Sequence, residues 1–164
     1  MPMTSDNAAV SECHTKALTT AAELGMRYGD KTPITNKTDV FKEIAHLVTH
    51  LCPDYIHFGG SRASYSSTPA RICPFGKDTD TVARYREETG EIEFSLANMT
   101  ECFLRCYDSN LRTRGVLTTY VYFAICHEVK HAQQHQGGSP YSESQADAYA
   151  VEAIRAWCAA HRGR

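Results

Sequence analysis

The sequence predicts an α+β fold, and three features of its 164 residues predict it. Apolar residues recur at helical spacing toward both ends, and a strict two-residue alternation occupies the middle. The strongest helical stretch, residues 116–136, comes after that alternation rather than before it. The expected order is therefore N-terminal helices, a small mainly antiparallel sheet, and two further helices.

Residues 8–28, rich in Ala, Leu, Glu and Lys, form the first expected helix, closed by Gly29 and Asp30. Thr38 and Asp39 mark the start of a second, in which Phe41, Ile44, Ala45, Val48 and Leu51 make one buried stripe. Pro53 is expected to stop it, with Tyr55, Ile56, His57 and Phe58 forming a short strand before Gly59 and Gly60. Residues 61–80 read as loop, with one more strand around Arg71, Ile72 and Cys73. Residues 82–86 and 91–96 then form a hairpin about Glu88, Thr89 and Gly90. In its return strand Ile92, Phe94 and Leu96 alternate with Glu91, Glu93 and Ser95, the pattern of one buried face.

Helical spacing resumes at Thr100 with Phe103, Leu104 and Tyr107, and Gly115 resets the chain. The helix over 116–136 carries Leu117, Tyr120, Val121, Ala124 and Ile125 before its polar half begins. Gly137, Gly138, Ser139 and Pro140 end it, and a last helix covers residues 142–160. No repeat, low-complexity tract or linker divides the chain, so a single domain over residues 1–164 is expected.

Hydrophobic residues make up 42% and charged residues 22%, enough apolar material for a core without disulfides. Lys plus Arg number 17 against 19 for Asp plus Glu, and no basic block occurs, which argues against nucleic acid or an anionic membrane as partner. The longest apolar run, residues 120–126, is too short to cross a bilayer. The first seven residues lack the basic and apolar regions of a secretion signal, so a cytoplasmic location is expected. The 7 cysteines include no C-x-x-C pair and read as reduced thiols, with Cys102 and Cys106 sharing a helix face.

His127-Glu128-Val129-Lys130-His131 has the spacing H-E-x-x-H inside the strongest helix. Two histidines four apart project from one face and can bind one metal ion. Glu128, one step around, can reach a water on that ion, and zinc lowers the pKa of such a water toward about 7. A catalytic zinc normally has three protein ligands, so a third must be found. His135 continues the four-residue series, but it lies eight residues, about 12 Å along the helix, from His127, too far for bonds of about 2 Å to one ion. It reads as a rim residue. The metzincin pattern needs Gly at 134 and His at 137, where this chain has Gln134 and Gly137.

Downstream, Glu143-Ser144-Gln145-Ala146-Asp147-Ala148-Tyr149-Ala150 supplies E-x-x-A-D-x-x-A. H-E-x-x-H followed by this segment resembles the gluzincin zinc metallopeptidases, over residues 127–150. Among thermolysin-type, Ste24/HtpX-type and ImmA/IrrE-type enzymes, the compact size is nearest to the minimal ImmA/IrrE-like forms. The resemblance implies a minimal zincin-like domain with an active-site helix and a C-terminal ligand helix. It implies one zinc ion held by His127, His131 and Glu143, with Glu128 as catalytic base and Asp147 orienting a ligand histidine. Independently of it, Glu143 and Asp147 share a helix face, and Ala146 and Ala150 allow close approach of that helix to the metal helix. The short connection over residues 132–142 leaves little room for a lid.

The expected activity is hydrolysis of peptide bonds in a protein or peptide substrate. Zinc is preferred over manganese or cobalt for mixed imidazole and carboxylate ligands in an open site. Two rivals share the metal: a non-catalytic regulatory or binding module, which would not need Glu128, and a zinc amidase. Tyr141 and Tyr149 flank the third ligand and are candidate oxyanion donors. The resemblance also implies the strand over 91–96 as a sheet edge for an extended peptide, and the residues themselves fit a fully paired strand equally well. His46 and His50, four apart without an acidic neighbour, read as surface residues.

Overall fold

Helix α1 (Ser5–Tyr28), α2 (Lys37–Phe58), strands β1 (Ala70–Ile72), β2 (Ala83–Arg86) and β3 (Glu91–Phe94), and helices α3 (Leu96–Cys106), α4 (Arg114–Gln136) and α5 (Glu143–His161) follow one another along the chain. The computed structural model describes residues 5–58, 70–72 and 81–161. The fold is α+β, mostly helical, as the periodicities predict.

Helix α4 is the central element. Its N-cap Thr113 accepts a hydrogen bond from the Val116 backbone N–H through Oγ1 at 3.2 Å, and Gly137 closes its C-terminus. Helices α1, α2, α3 and α5 and strand β2 all pack on it. It is therefore buried on nearly every side, polar half included, down to His131 and Gln134. Ile44, Phe94, Met99, Phe103, Leu117, Ile125 and Ile154 are fully buried in the core. Helix-on-helix burial of α1, α4 and α5 is what brings residues 14, 127 and 147 together.

Gly115 lies in the first turn of α4 instead of resetting the chain before it, and its role is contact. A Cβ there would fall 2.5 Å from the Gly25 carbonyl oxygen and 2.7 Å from Gly29 Cα. Backbone meets backbone where α1 crosses α4, and only glycine fits. Gly115→Ala should force the helices apart and cost about 1–3 kcal/mol, the usual scale of overpacking. Thermal unfolding followed by circular dichroism checks this; a midpoint equal to wild type would mean that the crossing is looser than described.

The sheet order is β1-β3-β2. Strand β2 pairs antiparallel with β3, Ala83 opposite Phe94 and Arg86 opposite Glu91, around a turn in which Gly90 takes a φ of 70°. Strand β1 pairs with β3 in parallel, Ala70 opposite Ile92. β3 is thus the middle strand, so of the two readings of residues 91–96 the paired one holds, and among the described residues β1 and β2 are the edge strands. The strand expected around residues 71–73 is present as β1 at Ala70–Ile72; its parallel pairing is what the sequence does not announce, since such a partner leaves no hairpin signal.

Three other expectations change. Helix α2 continues through Pro53 to Phe58, so the strand expected at residues 55–58 is its last turn. A proline removes one N–H and crowds the carbonyl a turn back, and α2 bears this local penalty while packed on α3 and α4. Strand β3 ends at Phe94 because Ser95 caps α3, its Oγ accepting from the Asn98 N–H at 3.1 Å; Leu96 is therefore helical, and α3 begins before Thr100. Two of the three alternating polar residues do not face water either: Glu93 is 2% exposed and Ser95 1%, whereas Glu91 is half-buried. Glu93 is tolerated inside because Arg84 Nε lies 2.8 Å from its carboxylate and Arg86 3.9 Å.

Cys13, Cys102, Cys106, Cys126 and Cys158 are free thiols. Cys52 and Cys73 lie outside the described side chains. No helix among the described residues is long and apolar enough to cross a membrane.

Candidate metal centre

His127 and His131 stand one turn apart on α4, and their Nε2 atoms are 3.2 Å from each other. Glu143, the first residue of α5, places Oε2 2.8 Å from His127 Nε2 and Oε1 3.0 Å from His131 Nε2. Donor atoms held at about 2.0–2.1 Å around a tetrahedral zinc are about 3.3–3.4 Å apart. The three pairs fall slightly inside that spacing, and two imidazoles with one carboxylate are a donor set that zinc accepts. The residues fit the ion.

Both imidazoles are held from behind. His131 Nδ1 lies 3.0 Å from Gln134 Oε1, an oxygen that can only accept, so Nδ1 carries a proton and Nε2 is the atom presented to Glu143 and His127. Gln134 also ties down the turn into α5: its Nε2 donates to the Ser142 carbonyl and to Gln145 Oε1, and its Oε1 accepts from the Ser142 N–H. In the sequence Gln134 served only to exclude another ligand pattern; its place three residues after His131, on the same face, was the available signal. His127 Nδ1 lies 3.0 Å from Asp147 Oδ1, close in distance but out of line for a well-formed hydrogen bond. Asp147 is 1% exposed and also receives His14 Nδ1, from α1, at 2.8 Å. His14, 133 residues from Asp147, carries no pattern that ties it to the motif in the sequence.

The electrostatics follow from this packing. Hydrogen bonds from His127 and His131 hold the Glu143 carboxyl far below the usual range. Burial works against charge on His127, but the Asp147 and Glu143 carboxylates outweigh it and push its pKa up. Burial likewise opposes charge on Asp147, and the two histidines on it pull its pKa down nonetheless. Glu128 behaves in the opposite way: burial pushes it up to about 7, only partly opposed by His127 and His131. A carboxyl poised there can take up and release a proton near neutrality.

Glu128 and His127 stand between two cavities. The outer one, about 610 Å³, is a cleft walled by residues 84–88, His131, Tyr141 and Glu143. The inner one, about 290 Å³, is lined mainly by apolar groups, among them Leu18, Val82, Ala83, Phe123 and Ala124, with Cys102 and Tyr120.

The remaining candidates are placed as follows. His135 is exposed and lies 3.0 Å from the Tyr85 hydroxyl through Nδ1, away from the cluster. The Tyr141 ring stands edge-on to His131 at 5.4 Å, and its hydroxyl donates to Glu87 across the cleft. The Tyr149 hydroxyl accepts from Gln133, and Lys130 lies over its ring. His46 and His50 are exposed and stacked on each other at 4.0 Å.

Searches against protein-family models, curated proteins and solved structures give no significant match to this chain. The class of the site therefore rests on its donor atoms.

Proposed function

We propose that this chain is a zinc-dependent metallopeptidase of gluzincin type, hydrolysing peptide bonds of a protein or peptide substrate. The reading is carried by one observation: the Nε2 atoms of His127 and His131, 3.2 Å apart, each face one oxygen of the Glu143 carboxylate, at 2.8 and 3.0 Å, on the wall of an open cleft. A zinc ion held by these residues would supply Lewis acidity toward a carbonyl and a water. Glu128, buried beside the donors, accepts the proton of the attacking water and passes it to the leaving amine. An extended peptide adds to β2, an edge strand among the described residues, whose residues 84–86 wall the cleft. A side chain next to the cleaved bond enters the inner apolar pocket, and Tyr141 is the better placed of the two tyrosines to meet the developing oxyanion.

The test is mass spectrometry of products from an extended-peptide library and a set of small amides, with zinc-loaded protein, chelated protein and Glu128→Gln. Peptide products that vanish with chelation and with the variant support the proposal. Cleavage of small amides alone points to an amidase, and no cleavage points to a metal-stabilised binding module.

A further inference from the structure

We propose that His14, on α1, is a positioning residue of the metal centre. It acts through Asp147 to aim His127, an inference that rests on the metal reading above.

The geometry is specific. Asp147 Oδ1 lies 2.8 Å from His14 Nδ1 and 3.0 Å from His127 Nδ1, while Oδ2 is buried without a hydrogen-bond partner. An ionised carboxylate only accepts, so both imidazoles present Nδ1–H to the same oxygen. For His127 this makes Nε2, which faces Glu143 and His131, the atom that would hold a metal once its own proton, now shared with Glu143, is released. The His127 contact is out of line, so it cannot by itself fix the rotation of the Asp147 carboxylate. The His14 contact is the shorter and better aligned of the two. It holds Oδ1 rather than the unpartnered Oδ2 against His127. The His14 ring is itself fixed, edge-on to Phe123 at 5.7 Å and to His127 at 5.6 Å. The Gly25, Gly29 and Gly115 crossing sets α1 against α4 and so places His14 at this depth.

The test measures zinc affinity of the full chain by competition with a chromophoric chelator, with thermal unfolding of each metal-free variant alongside. His14→Leu keeps apolar contact but removes the donor, and should weaken zinc binding about tenfold, the lower end for such outer partners. His14→Asn places its amide nitrogen near the position of Nδ1 and should restore most of the affinity. His14→Gln, whose amide falls nearer the position of Nε2, should resemble His14→Leu. On an Asp147→Asn background His14→Leu should add no further loss, because the path through Asp147 is already broken. Equal affinities for wild type and His14→Leu, a His14→Asn variant as weak as His14→Leu, or additive losses would overturn the assignment. Should His14→Leu fail to fold, His14→Asn against His14→Gln carries the same decision. A wild-type chain that binds no zinc overturns the metal reading itself, and this inference with it.

Discussion

Glu128→Gln should lower turnover at least about 100-fold while retaining the metal and the fold, the usual scale for removing a general base. The glutamine keeps the shape and a hydrogen bond but has no oxygen that can take a proton. Burial raises the Glu128 carboxyl to about 7, so the wild-type group can exchange a proton near neutrality, and the variant cannot. Burial also means that replacing the acid by a neutral isostere should not destabilise the chain, since no buried charge is left behind. Metal content, melting temperature and cleavage rate of the variant are the three readouts. Loss of metal would make Glu128 a ligand, and undiminished cleavage would place the chemistry elsewhere.

The second large effect is on the ligand set. Glu143→Ala should weaken zinc binding by more than the roughly 10–100-fold typical of outer partners, because it removes one of three donors. His135→Ala should leave affinity nearly unchanged, since that ring is held by Tyr85 outside the cluster. Asp147→Asn should fall between the two. Direct titration with zinc in a chelator competition ranks all three, and the reverse order for Glu143 and His135 would mean that the third donor has been misassigned.

Much of the fold was legible because local rules agree with the global packing. Helix α4 and the turn at residues 137–140 follow from apolar spacing and glycine, and the hairpin follows from alternation around Gly90. The failures lie where a local signal met a long-range one. Pro53 has the local effect expected of it but does not end a helix that α3 and α4 support. Glu93 reads as a solvent-facing residue because its partner Arg84, nine residues earlier, sits on another strand. Strand β1 is invisible as the partner of β3 because parallel pairing has no turn to announce it.

The candidate site divides in the same way. His127, Glu128 and His131 lie within five residues, and Glu143 and Asp147 share one face of the next helix, so both groups are local patterns. Gln134 was within reach of the same helical arithmetic. His14 was not: only the packing of α1 against both α4 and α5 brings it to Asp147. A residue that acts by tertiary position alone leaves no spacing to read.

The most direct measurement is the metal content of the purified chain, by elemental analysis after expression in zinc-replete medium, with its melting temperature before and after chelation. One zinc per chain is expected, removed by the chelator with a fall in stability. Ion present at 100 times its dissociation constant contributes about 2.7 kcal/mol. A chain that carries no metal and melts identically with and without chelator would contradict the account.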